Sequence, residues 1–84
     1  MDILEPVECY KIYVLRTCPY SIKALKMLKD KNKMRKIIYV GEDMPYDKFK
    51  STYGQDATFP RVFKNGKLIG GSENLELELD YHNI

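Results

Sequence analysis

Cys18, Pro19, Tyr20 and Ser21 stand just beyond an apolar, β-type run, Ile12-Tyr13-Val14-Leu15, and open a stretch with helical spacing. A thiol at a strand-to-helix junction meets backbone N–H groups without helical partners and the positive end of the helix dipole. Both favour the thiolate, which is the nucleophilic form of cysteine. Proline suits the first helical position, where an N–H would have no acceptor within the helix. Position 21 then decides the type of chemistry. A second cysteine there would complete a dithiol, whereas Ser21 offers a hydrogen bond but cannot close a disulfide. The pattern reads as a one-cysteine redox site.

Two further segments are candidates to meet Cys18. Thr58-Phe59-Pro60 lies directly before a β-type run, and Gly70-Gly71-Ser72-Glu73 lies where the last strand passes into the last helix. The Phe59-Pro60 bond is compatible with a cis form as well as with the commoner trans form. Gly71-Ser72-Glu73 opens a helix whose first N–H groups can either bind a carboxylate or be closed by Ser72 as an ordinary N-cap. Arg16, two residues before Cys18, is either a partner for the thiolate or a ligand carboxylate, or a solvated charge. Tyr20 is placed to flank the thiol. Cys9 begins the first strand, which rises ~3.3 Å per residue, so roughly 20 Å or more separate it from Cys18. A disulfide needs Cα atoms within ~7 Å. Cys9 therefore reads as a small core residue or a partly buried bystander.

The elements that must position these groups follow from periodicity. Residues 8–15 form a strand rich in Val, Ile and Tyr. A helix runs from Pro19 to about residue 31, with Ile22, Leu25 and Leu28 at helical spacing. Residues 35–40 form a second strand, parallel to the first because a helix joins them. Met44-Pro45 opens a short helix to about Tyr53, with Tyr46, Phe49 and Tyr53 on its core side and Gly54 as its stop. Strands at 61–64 and 67–69 flank Asn65-Gly66, a strong hairpin signal. A final helix spans Glu73 to about Tyr81, with Leu75 and Leu79 inward. The expected fold is α/β, in the order β-α-β-α-β-β-α, a four-stranded mixed sheet with helices on both faces. Ligands of open α/β sheets gather at the carboxyl ends of parallel strands. Cys18 lies at such an end.

Length and composition narrow the function classes. The 84 residues suffice for one domain and a modest core. The 14 Lys and Arg exceed the 12 Asp and Glu by only two, but unevenly: residues 1–40 carry nine against four, and residues 41–84 five against eight. Much of the excess lies in Lys23, Lys26, Lys29, Lys31, Lys33, Arg35 and Lys36, a solvated face or a docking face for acidic partners. Without interleaved aromatics or a nucleic-acid module, nucleic acid is not an expected partner. No apolar run approaches the ~20 residues of a membrane helix, and no secretory leader is visible, so no membrane partner is expected. Two cysteines do not make a secreted disulfide framework. With His82, read as an exposed residue, they are too few for a four-ligand zinc site. A reducing, cytoplasmic setting is the expectation.

Thr17-Cys18-Pro19-Tyr20, Thr58-Phe59-Pro60-Arg61-Val62-Phe63 and Gly70-Gly71-Ser72-Glu73-Asn74-Leu75 together resemble the glutaredoxin family in identity, order and spacing. The resemblance runs from about Tyr10 to Leu79 and makes residues 1–84 a single glutaredoxin-like domain. It implies a thioredoxin fold and a glutathione-dependent thiol-disulfide oxidoreductase acting on protein–glutathione mixed disulfides, in cell redox homeostasis and electron transport. Glutathione and glutathionylated proteins are the implied partners, and a monomer is expected. Cys18 would be the nucleophile and Pro60 the family's cis-proline. Phe59, after Thr58, would pair through its backbone with the cysteinyl unit of glutathione. Gly71, Ser72 and Glu73 would present N–H groups to the γ-glutamyl carboxylate, and Tyr20 would flank the sulfur. Arg16 stands one step later than the family's usual basic residue, in the place nearest to its glycyl-carboxylate contact. Ser21 replaces the usual second cysteine, which implies a monothiol mechanism. One-cysteine members of the family also suggest an alternative, a [2Fe–2S] carrier in which Cys18 of two subunits and two glutathiones hold the cluster. The Pro19-Tyr20 pair differs from the glycine and phenylalanine of that branch.

Overall fold

A computed structural model of the chain describes residues 8–81. Strand β1 (Cys9–Val14) lies inside the sheet, parallel to β2 (Met34–Tyr39) on one side and antiparallel to β3 (Arg61–Lys64) on the other. Strand β4 (Lys67–Gly70) pairs antiparallel with β3, giving the spatial order β2-β1-β3-β4. Helices α1 (Pro19–Asp30), α2 (Tyr46–Tyr53) and α3 (Ser72–Tyr81) complete the expected order. This is the thioredoxin-like fold.

Each connection has a local cause. The β3–β4 hairpin turns on Asn65 and Gly66, both at positive φ (50° and 85°), the combination required by a type I′ turn. Asn65 also clips the hairpin to β1: the Cys9 N–H donates to its Oδ1 and its own N–H donates to the Cys9 carbonyl, both at 2.9 Å. Helix α2 ends at Gly54, whose φ of 106° suits glycine, as the sequence predicts.

Alternation along β1 divides the core in two. Tyr10, Ile12 and Val14 pack with Ala24, Leu28, Val62, Leu75 and Leu79 beneath α1 and α3. Tyr13 points the other way, into a cluster with Val40, Phe49 and Ala57 beside α2. Full burial of a side chain such as Leu28 or Leu75 stabilises the fold by roughly 1.5–3 kcal/mol. Two expected helix faces are displaced. Helix α1 buries Ser21, Ala24 and Leu28 rather than Ile22, which is 54% exposed, because the small side chains at 21 and 24 let the helix approach the sheet. On α2, Phe49 is buried but Tyr46 is exposed, its ring lying at the rim of the cluster, 6.1 Å from that of Phe59.

Candidate functional site

The sheet register brings the predicted segments to one end of the molecule. Tyr13 faces Arg61, so Pro60 stands beside Val14 at the carboxyl end of β1. Val62 faces Gly70, which carries β4 back to the same end. There Gly71 nears Pro60, and a methyl group placed on Gly71 would lie 3.7 Å from the Pro60 carbonyl oxygen. A turn closed by the Cys18 N–H on the Leu15 carbonyl (3.1 Å) leads from β1 to the thiol. The Phe59–Pro60 bond is cis.

Cys18 is the N-cap of α1, in extended conformation, with Pro19 in the first turn and the Ile22 N–H on the Cys18 carbonyl at 3.0 Å. Its thiol is partly buried. Burial pushes the thiol upward, but hydrogen bonds from the Ser21 N–H, the Ser21 hydroxyl and the Tyr20 N–H outweigh it together and hold Cys18 below the usual thiol range. Ser21 is fully buried, and its Oγ accepts the Leu15 N–H at 3.2 Å. Accepting there leaves the hydroxyl proton free to donate to sulfur. One hydroxyl thus joins the end of β1 to the nucleophile. Tyr20, next but one in the chain after Cys18, is 63% exposed.

Arg16 is engaged elsewhere. Its guanidinium donates to both carboxylate oxygens of Glu42, at 2.8 and 2.9 Å, and lies 4.0 Å from the centroid of the Tyr39 ring. The hydrogen bond between them holds the Glu42 carboxyl low and the Arg16 guanidinium high. Burial and the hydrogen bonds of Ser21 and Tyr20 account for the Cys18 shift, and Arg16 has no part in it.

Thr58 is exposed, and Phe59 stacks on Phe49 with centroids 4.6 Å apart. Lys50, absent from the sequence-derived candidates, braces the segment leading to them. Its Nζ donates to the carbonyls of Gln55 (3.2 Å) and Ala57 (2.5 Å). No local pattern announces it, because both acceptors lie beyond the end of α2.

At the third segment the cap is shifted by one residue. The Gly71 carbonyl accepts the Leu75 N–H at 3.0 Å, so Gly71 is the N-cap and Ser72 the first helical residue, not the cap itself. Ser72 is buried and Glu73 exposed. Gly70, at φ 129°, packs so tightly that a Cβ there would meet Asn74 Cγ at 2.8 Å. Cys9 departs from expectation: as the first residue of β1 it lies at the strand's end, where it is exposed. His82 lies outside the described residues. Among the described residues no helix is long and apolar enough to cross a membrane.

The family model for Glutaredoxin matches residues 10–69. The chain is 36% identical over 69 residues to Hybrid peroxiredoxin hyPrx5 of Haemophilus influenzae, a match covering 82% of this chain and 28% of that protein. In three dimensions it is similar to the dithiolic glutaredoxin 2-C-Grx1 of Trypanosoma brucei brucei, at 30% identity and a TM-score of 0.74, over 88% of this chain and 78% of that one. It also shares its fold with a buckwheat glutaredoxin solved as a glutathione complex, at 21% identity and a TM-score of 0.73, over 86% of this chain and 69% of that one. The chain spans less than half the length of the first curated relatives it matches.

Proposed function

Because the chain belongs to the glutaredoxin family, we propose that it is a glutathione-dependent thiol–disulfide oxidoreductase reducing protein–glutathione mixed disulfides by a monothiol cycle. The observation that carries this reading is the nucleophile's setting: a lowered thiol at the start of α1, hydrogen-bonded by a buried serine where a resolving cysteine would stand. Cys9, at the opposite end of β1, is too distant to substitute for it.

The Cys18 thiolate attacks the glutathione sulfur of a substrate–S–S–glutathione, forming Cys18–S–S–glutathione and releasing the substrate thiolate. A second glutathione thiolate attacks the same glutathione sulfur, expelling the Cys18 thiolate and giving oxidised glutathione. Over the cycle the substrate sulfur is reduced from disulfide to thiol and one free glutathione is oxidised, while the glutathione sulfur carried in from the substrate stays at the disulfide level. A low thiol pKa serves both steps, keeping Cys18 ionised and making it a good leaving group. Backbone groups of Phe59, following Thr58 and preceding Pro60, pair with the cysteinyl unit of glutathione. N–H groups around Gly71, Ser72 and Glu73 receive the γ-glutamyl carboxylate, favoured by the positive end of α3. Tyr20 flanks the sulfur. Arg16 meets the glycyl carboxylate only by exchanging its Glu42 partner. A reducing compartment such as the cytoplasm suits this cycle.

The test mixes reduced protein with a glutathionylated peptide and excess glutathione and follows oxidised glutathione. Turnover by the wild type, abolished in Cys18→Ser, is the expected result. No turnover from folded, reduced protein would overturn the reading.

A further inference from the structure

Strand β2 is an edge of the sheet, and beside it lies a groove of about 450 Å³ that the redox cycle does not use. Its floor is apolar, made by Leu25, Ile37 and Tyr39, and its rim is basic, made by Lys26, Lys29 and Arg35. The one carboxylate there, Asp30, meets Lys26 at 2.8 Å in an exposed pair. Lys29 has no carboxylate within 4 Å among the described residues. The groove thus keeps net positive charge over an apolar floor.

The backbone of β2 is open on the same side. The Val40 N–H donates inward to the Val14 carbonyl at 2.9 Å, and strand groups alternate in direction, so the N–H and C=O of Tyr39, Ile37 and Arg35 point outward. Those of Tyr39 are taken up by the following turn, with its N–H on Asp43 Oδ2 at 2.8 Å and its carbonyl accepting the Asp43 N–H at 2.7 Å. Those of Ile37 and Arg35 have no partner among the described residues. Towards the opposite edge, Lys64 of the interior strand β3 is paired with Glu8 (3.4 Å) and Glu78 (3.0 Å).

The groove and the thiol share helix α1. Ile22, Lys26 and Lys29 follow at i, i+4 and i+7 on one side of α1, below Cys18 at its head. Lys26, eight residues beyond Cys18, is about 12 Å down the helix at 1.5 Å per residue.

We propose that the edge of β2 and the adjoining face of α1 dock an extended, acidic segment of a protein partner, which adds to the sheet beside Arg35 and Ile37. Main-chain hydrogen bonds would hold the added strand, and its carboxylates would meet Lys26, Lys29 and Arg35. A partner held there is positioned to present a disulfide at Cys18. The proposal rests on thiol–disulfide chemistry at Cys18 and not on the identity of the small thiol.

The test titrates the isotope-labelled full chain with a thiol-free peptide of alternating Glu and Val, and with a matched peptide of alternating Lys and Val. The acidic peptide is expected to shift the backbone amides of Arg35 and Ile37, and the basic one to leave them unmoved. The triple variant Lys26→Glu, Lys29→Glu, Arg35→Glu should bind the acidic peptide about tenfold more weakly or worse, and added salt should weaken the wild type in the same direction. Turnover of an uncharged glutathionylated peptide by that variant should stay at the wild-type level, which keeps failure of docking distinct from failure of the catalytic reading. Unmoved amides at Arg35 and Ile37, equal response to both peptides, or tighter binding of a single-stranded oligonucleotide at the same residues would overturn the proposal.

Discussion

Ser21→Ala tests the reasoning about the nucleophile most directly. The substitution keeps the buried volume nearly unchanged and removes one hydroxyl, which accepts the Leu15 N–H at 3.2 Å and donates to Cys18. A hydrogen bond to a charged group contributes about 1.5 kcal/mol or more, and 1.4 kcal/mol corresponds to about a tenfold change in the thiolate-to-thiol ratio. The two remaining N–H donors, from Ser21 and Tyr20, belong to the backbone and survive. The midpoint of Cys18 alkylation against pH should therefore move upward but not reach that of a thiol governed by burial alone. Below both midpoints the attack rate should fall by only about threefold, because a more basic thiolate is also more nucleophilic, with a Brønsted slope of about 0.4–0.5. The orphaned Leu15 N–H should also cost about 1–3 kcal/mol of stability, read from urea unfolding. An alkylation profile that coincides with the wild type, in a folded variant, would refute the claim that the Ser21 hydroxyl sets the thiolate.

Further substitutions probe other links. Ser21→Cys should create an intramolecular disulfide with Cys18, visible by mass spectrometry after mild oxidation, and add reduction of protein dithiol disulfides to the activity. Cys18 titrates lower in the folded chain than unfolded, so its thiolate contributes stability that is complete above the unfolded thiol range and is lost as pH falls through the folded one. Cys18→Ser should remove that rise, flattening stability against pH on the alkaline side in chemical denaturation. Phe49→Ala opens a fully buried aromatic site stacked on Phe59 and should lower the unfolding free energy by about 3–5 kcal/mol. Lys50→Met keeps the apolar stem but removes both donors to the Gln55 and Ala57 carbonyls. It should raise KM for glutathione several-fold, with kcat less affected, as steady-state kinetics would show.

What the sequence determined by itself was local or carried by contiguous motifs. Asn65-Gly66 specified its turn because few residues tolerate positive φ, and Gly54 stopped α2 for the same reason. The strand–helix–strand order implied parallel pairing of β1 and β2, since a hairpin cannot join parallel strands. Cys18 was legible as a nucleophile because a junction before proline defines its backbone environment within four residues. Tertiary structure decided the rest, because it depended on distant side chains. Nothing near Arg16 in sequence announces Glu42, which lies 26 residues away and holds both arms of its guanidinium. Periodicity located α1 but not its rotation, which was set by how closely Ser21 and Ala24 let it approach the sheet. Lys50 became a brace only once the chain folded back over the end of α2. The edge position of β2 follows from strand order, a property of the whole sheet, and it leaves Arg35 and Ile37 with open backbone groups beside a basic helix face.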